Sequence, residues 1–328
     1  MSFIIGNTKV LSDFKKAKET GRLSHAYIIE GAEGSGRLTL ARAIACTFSC
    51  HSENAPCYSC DTCKKIMSGG HQDVRELIHL DRASPIKIDT VRELIKEAYI
   101  KPGESERKIF IVENAQQMGI PAQNALLQVF EEPPKNVTFF LLTTNRNLLL
   151  PTLKSRAVTL KTEKLTDETV ASEIEKRFPQ HTGLWDETVI LADGALGKAI
   201  SLLSEEKTSD SVTLTKEYFS KMKEYASFSS LSMILNQKSV PDRASLFNLM
   251  TYFTLALRDI LVYNSGYDGK LMFFANRETV RILADRMSES KLMSAYDTVC
   301  TVIRDHAKIN LLSALSEINM AMCDDFQR

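Results

Sequence analysis

Two clusters in the first part of this 328-residue chain carry residue types that do chemistry. One is Gly31–Leu40, "GAEGSGRLTL", which follows the apolar run His25–Glu30, "HAYIIE", and opens a segment of helical spacing. Gly31 and Gly36 hold the two glycine positions of the P-loop pattern G-x-x-x-x-G-K-[ST], with Gly34 between them. Such glycines let backbone N–H groups curl around phosphate oxygens ahead of a helix N-terminus, whose dipole favours an anion. The lysine position is Arg37 and the Ser/Thr position is Leu38. Arginine keeps the positive charge, but its broad fork is not a compact ammonium. Leucine has no oxygen to offer Mg²⁺, and the Thr39 hydroxyl comes one residue late. On these residues a retained phosphate cradle (Gly31, Gly34, Gly36, Arg37) and a purely structural turn both stay open, and hydrolysis is disfavoured. The apolar run "KIFIVENAQQM" points the same way. It ends in Glu113–Asn114, where a hydrolytic site needs a second acid, and an amide cannot act as a general base.

The other cluster holds four of the seven cysteines, spaced Cys50-x6-Cys57-x2-Cys60-x2-Cys63. Four thiolates at short spacing can close a tetrahedral Zn²⁺ site with no open position for water, so such a site is structural. The alternative is a pair of disulfides, which a reducing compartment disfavours. Cys46, His51 and His71 are possible substitutes for a ligand, although Cys46 sits a turn before Cys50 and is expected to be buried. Cys300 and Cys323, isolated in helical patterns, are expected to pack in cores.

The elements that must position these residues are short β-branched runs alternating with helical patterns. Strands are expected at Ala26–Ile29, Val74–Leu80, Lys108–Glu113, Val137–Thr143 and Val158–Lys161. Helices are expected at Leu38–Phe48, Thr90–Ala98, Ala122–Glu131 and around Leu149–Ser155. Such alternation implies a doubly wound α/β domain with a parallel sheet, here residues 1–162. The runs "IFIV" and "TFFLL" are apolar throughout, as strands covered on both faces require. Three short helices follow at Asp167–Phe178, Leu184–Ala192 and Ala195–Leu203, punctuated by Pro179, Gly183 and Gly194. They define a small helical domain over residues 163–207. Residues 208–328 read as all helical, and Leu311, Leu315, Ile318 and Met322 form one apolar stripe suited to core or inter-subunit packing.

Bulk composition narrows the classes further. Lys+Arg and Asp+Glu both number 41, so the charge balance makes no case for direct nucleic-acid binding, and a zinc-dependent nucleic-acid module is the weakest reading. No run approaches about 18 apolar residues, and "MSFIIGNTKV" lacks the pattern of a signal peptide. An intracellular, cytoplasmic protein with no membrane partner is expected.

Several phrases together carry a family resemblance. "IIGNTKVL" and "GRLSHAYIIEGAEGSGR" resemble the opening of bacterial clamp-loader AAA+ subunits, as do the four-cysteine insertion and the "GGHQDV" after it. "IKIDTVRELI", "ENAQQM", "AQNALLQVFEEPP", "FFLLTTN", "LLPTLKSRA" and "GALGKAISLL" continue in the family's order to about residue 203. Beyond that, the resemblance is a general one to helical collar domains. It implies an AAA+ P-loop domain with a zinc-knuckle insertion, a three-helix lid and an oligomerising collar. Within the family the chain looks like the delta-prime class of the DNA polymerase III clamp loader; the ATP-hydrolysing gamma/tau motors resemble it too, and a motor subunit of that type is the alternative. The motors carry an intact P-loop, an acidic pair after the strand and a nucleotide-sensing arginine where this chain has Gly197, next to Lys198.

The implied function is that of a rigid, non-hydrolysing scaffold in a hetero-pentamer with gamma/tau and delta subunits. That assembly opens a sliding clamp and places it on primed DNA. The implied cofactor is structural zinc, with ATP binding weak or absent. Ser155–Arg156–Ala157 matches the Ser and Arg of the family's Ser-Arg-Cys motif, so Arg156 is implied to be an arginine finger acting in trans. By position alone, Arg156 reads instead as pairing with a carboxylate at a local helix end. Glu131 and Glu132 oppose a helix dipole just before two prolines and therefore need partners nearby. Thr144 and Asn145 fall where the family has its first sensor, and His25 reads as structural.

Overall fold

The computed structural model describes residues 4–52, 55–78, 84–180, 185–204, 206–224, 227–236, 239–267, 271–274, 276–305 and 309–323. The chain divides into two compact units. One comprises Met1–Leu165 with Ala195–Gly197, and the other Thr166–Gly194 with Lys198–Arg328.

In the first unit the elements run α1 (Thr8–Glu19), β1 (Ala26–Glu30), α2 (Arg37–Ser49), α3 (Asp61–Met67), β2 (Val74–Leu77), α4 (Ile88–Ala98), β3 (Lys108–Val112), α5 (Ile120–Glu131), β4 (Val137–Thr143), α6 (Pro151–Lys154) and β5 (Val158–Lys161). The five strands form one parallel sheet in the order β2-β3-β4-β1-β5. Alternate strand residues feed different clusters. Tyr27, Ile29, Ile111 and Phe140 pack with Phe14 of α1 and with Leu40 and Ile44 of α2. Ala26, Ile28, Phe110 and Phe139 pack with Leu94 of α4 and with Leu126 and Phe130 of α5. Burial on both faces explains why Ile109–Val112 of β3 and Phe139–Leu142 of β4 are unbroken apolar runs.

The expected strands form, with two shortenings: β3 ends at Val112, one residue early, and β2 ends at Leu77, residues 79 and 80 of that expectation lying outside the described residues. The helix expected around Leu149–Ser155 is a single turn, preceded by a 3-10 turn at Arg146–Leu148. The chain also forms α1 and α3, which the spacing did not announce.

The second unit is helical. It holds α7 (Asp167–Arg177), α8 (Trp185–Ala192), the rest of α9 (Leu196–Ser204), α10 (Glu206–Lys223), α11 (Phe228–Ile234), α12 (Arg243–Asn264), α13 (Arg277–Ala284), α14 (Glu289–Asp305) and α15 (Leu311–Cys323). Gly183 and Leu184, expected as a breaker and a helix start, lie outside the described residues. Leu315, Ile318 and Met322 are buried in one core with Phe219, Phe253 and Leu292, and Leu311 packs against it, so the terminal stripe is a core face. Cys300 is half-buried rather than enclosed, because its helix turns that flank partly to solvent.

One expectation is corrected outright. Ser245–Asn264 in α12 is long and apolar enough, by length and composition, to cross a bilayer. Its polar residues, the adjacent Arg258–Asp259 among them, interrupt the apolar sequence without lowering its mean hydropathy below that of a span. Here Leu246, Leu249, Phe253, Ala256, Leu257 and Ile260 are core residues.

Asp259 lies on the same helix and is fully buried. Its carboxylate accepts from the backbone N–H groups of Met272, Phe273 and Phe274 at 2.7–3.1 Å and pairs with Arg258 at 3.1 Å. Asp259→Ala strands those donors. It is expected to destabilise the chain by about 1–3 kcal/mol, read as a lowered midpoint in denaturant unfolding.

Candidate functional site

The loop after β1 is fixed at both ends by the sheet. The N–H of Gly31 donates to Thr143 O at 3.1 Å, extending the β1–β4 ladder, and the Thr162 N–H donates to Glu30 O at 2.9 Å on the other side. A Cβ at Gly31 would lie 1.9 Å from Thr162 Oγ1 and 2.6 Å from Ser35 Oγ, so only glycine fits. Thr162 Oγ1 donates to Ser35 Oγ at 3.0 Å, bracing the loop. Gly36 takes φ +81° immediately before α2.

The two substituted positions behave differently. Arg37 is only 8% exposed, and its Nη1 donates to Gly31 O at 2.7 Å, so the guanidinium reaches back onto the loop that carries it. Leu38 packs against the cluster on the α1–α2 face. Gly197 is brought to the same loop. Its N–H donates to Gly34 O at 2.8 Å, and a Cβ there would lie 2.8 Å from that oxygen and 3.0 Å from Gly34 Cα. Protein donors thus occupy the carbonyls of both Gly31 and Gly34. A large side chain at position 197, such as the arginine that the family resemblance calls for, cannot enter without displacing Gly34.

At the end of β3, the Glu113 N–H donates to Leu77 O at 3.0 Å, and Asn114 takes a left-handed φ of 52° that an amide side chain tolerates. Asn145 uses its Oδ1 to accept from the Asn147 N–H at 2.9 Å, capping the following 3-10 turn. Thr144 is exposed. His25 Nε2 is buried without a hydrogen-bond partner, and burial lowers the ring's pKa.

Sequence reasoning overlooked Gln123, which is buried in α5. Its Nε2 donates to Met118 O at 2.9 Å, and its Oε1 accepts from the Leu150 N–H at 2.8 Å. It fastens the first turn of α6, the helix that leads into Ser155 and Arg156. Arg156 is 37% exposed, with Nη1 donating to Thr152 O at 3.2 Å and to Ser155 Oγ at 3.4 Å. Its Nη2 stands 3.0 Å from Glu131 Oε1, so a carboxylate at the end of α5 does pair with it.

The four cysteines converge, all Sγ atoms lying within 4.8 Å of one another. Cys50 terminates α2 and Cys60 caps α3. The Cys50–Cys57 and Cys57–Cys63 sulfurs are 3.5 and 4.0 Å apart. A disulfide needs about 2.05 Å, whereas the edge of a zinc tetrathiolate with Zn–S near 2.3 Å is about 3.8 Å. The chemistry of the donor set fits a metal as well. Backbone N–H groups of Cys60 and Cys63 donate to the sulfurs of Cys57 and Cys60 at 3.4 Å, as thiolate acceptors require. The Cys60 amide and its neighbours draw the Cys57 thiol down to about 5, while burial pushes Cys63 up.

The substitute ligands stay outside. Cys46 is buried and pushed up to about 12 by desolvation, and its Sγ contacts Cys63 O at 3.8 Å. His51 is exposed. His71 Nδ1 accepts from the Asp73 N–H at 3.1 Å, and its Nε2 lies 3.5 Å from Ser105 Oγ. The module is riveted to the sheet by Arg42, which forks onto Glu76 at 2.7 Å twice and donates to Met67 O at 2.9 Å.

Comparison with known proteins places this geometry. Residues 6–166 match the family described as DNA polymerase III, delta subunit. They form a DNA polymerase III delta-subunit-family domain. The chain is similar to the DNA polymerase III subunit gamma of Buchnera aphidicola (28% identical over 207 residues, 61% of this chain and 56% of that protein). It is also similar to the subunit tau of Bacillus subtilis (26% over 322 residues, 90% of this chain and 56% of that protein). The chain therefore spans about half the length of these relatives. A gamma subunit-related protein of Thermotoga maritima shares the fold over 97% of this chain and 99% of its own, with TM-score 0.50 and 17% identity. The delta-subunit-family domain thus has an AAA+ P-loop fold with a four-cysteine module inserted after α2.

The cysteine geometry sets an expected outcome. Purified protein should carry about one zinc per chain by metal analysis at neutral pH. Cys60→Ser should lower both metal content and thermal midpoint. Thiols must lose their protons to bind metal, so loading should fall as pH drops into the acid range.

Proposed function

We propose that this chain is a clamp-loader subunit of the delta-prime class, a scaffold that hydrolyses no ATP itself and supplies Arg156 to the nucleotide of a neighbouring ATPase subunit. One contrast within the P-loop domain carries the reading. In the chain's own loop the cation, Arg37, is buried and turned back onto Gly31 O, and Leu38 stands where a metal-ligating hydroxyl belongs, while Arg156 stands at the surface. A buried arginine bonded to its own backbone cannot serve a nucleotide without first leaving that bond. A surface guanidinium next to Ser155 can reach a phosphate on another chain.

In this reading the partners are gamma/tau and delta subunits in a hetero-pentamer joined through the helical collar of residues 208–328. The helices of residues 163–207 act as a lid, the loader delivers a sliding clamp to primed DNA, and the setting is the cytoplasm. Cys50, Cys57, Cys60 and Cys63 hold structural zinc, which stabilises the α2–β2 connection and takes no part in phosphate chemistry. The zinc would supply only charge neutralisation and a cross-link.

A second reading, an ATP-hydrolysing motor of the gamma/tau type, is favoured by the named relatives, which are gamma and tau subunits. Steady-state turnover separates the two. The isolated chain should hydrolyse no ATP above background, and turnover abolished by Arg37→Ala would instead identify a motor. In the reconstituted loader, Arg156→Ala should lower hydrolysis at the adjacent site by about 10³-fold or more. Unchanged hydrolysis and clamp loading would refute the finger.

A further inference from the structure

The Glu131–Arg156 pair joins the end of α5 to the end of α6, and its placement is unusual for a surface ion pair. Glu131 is the last residue of α5, where a carboxylate opposes the helix dipole and gains most from a nearby cation. Arg156 lies two residues past α6, a helix of one turn that cannot hold a long side chain in place by itself. Three groups fix the guanidinium: Thr152 O and Ser155 Oγ on Nη1, and the Glu131 carboxylate facing Nη2 at 3.0 Å. The first two belong to the same turn as the arginine and move with it. Glu131 is the only one of the three on a different element, and α5 is anchored to the core through Leu126, Val129 and Phe130. Glu131 and Arg156 are 55% and 37% exposed, so the pair is weak enough to exchange with an incoming phosphate.

We propose that Glu131 is a positioning residue for the arginine finger. It holds the Arg156 guanidinium at the α5–α6 junction, so that the neighbour's nucleotide meets a charge already placed instead of a freely rotating side chain. This rests on the reading of Arg156 as a finger. Glu131 touches no nucleotide. Its contribution is preorganisation, which appears in the chemical step and leaves nucleotide affinity with the neighbour's own cradle.

The test uses the full hetero-oligomeric loader, with its other ATP sites inactivated so that hydrolysis reports the site facing Arg156. Glu131→Gln should lower kcat about 3- to 10-fold at unchanged KM for ATP, and Glu131→Asp should recover most of the loss. The thermal midpoint of the Glu131→Gln chain should match wild type, since both partners are exposed. A loss in Arg156→Ala with no loss in Glu131→Gln overturns the positioning role and leaves the finger standing. No loss in Arg156→Ala overturns both. A faster Glu131→Gln loader would make the pair a brake and would also overturn the proposal, as would a loss that appears in KM or tracks a fall in thermal midpoint.

Discussion

The pairing of β1 with β4 on one side and β5 on the other determines where the chemistry-bearing residues lie. Hydrogen bonding continues past the strand ends through Gly31 to Thr143 and through Thr162 to Glu30. The start of the loop, the turn after β4 and the end of β5 are therefore held at one edge of the sheet. A one-residue slip would exchange the faces of Ile28 and Ile29, both apolar, so the hydrophobic pattern alone does not forbid it. The strand ends do. A slip would bring a side chain to the place where Thr162 Oγ1 and Ser35 Oγ leave room only for Gly31. The glycine, more than the apolar residues, sets the register.

That register gives Arg37 its role. A lysine at the start of α2 ends in a compact ammonium suited to a mobile anion. A guanidinium at the same place offers a planar set of donors and finds a fixed acceptor in Gly31 O. That contact, with the Gly197 N–H on Gly34 O, ties the turn to the rest of the domain. The same two residues thereby brace the loop from within. Arg42, in the middle of α2, does corresponding work for the helix, tying β2 and the end of α3 to it.

Strands and the cysteine cluster were legible in the sequence because their signals are local. A parallel strand covered on both faces must be apolar for four or five residues, and a tetrathiolate needs its ligands within a short span. α1 was missed because its apolar residues are few, Val10, Leu11 and Phe14, and only Phe14 is buried. α3 is seven residues long and sits among metal-ligand positions that read as loop. Gln123 escaped for a different reason. An amide inside a helical pattern looks like a surface residue until its acceptor and donor are known, and one of them is 27 positions away. Gly197 was marked only by the family resemblance, and its packing against Gly34 is a contact no local pattern carries. α12 shows the limit from the other side, since composition alone cannot tell a central core helix from a membrane span.

Helix α6 has four residues, far below the length at which a helix persists alone. Pro151 presets its first turn, but nothing in four residues fixes its direction. Direction comes from outside: Gln123 Oε1 binds the Leu150 N–H, and Leu153 is buried against the α4–α5 face of the sheet. Leu150 O then accepts from the N–H groups of Leu153 and Lys154, and Pro151 O from that of Ser155, so the turn propagates the direction given at Leu150. The position of Arg156 is consequently a property of α5 and the sheet beneath it. The buried amide and the buried leucine thus carry the rigidity of the core out to an exposed side chain.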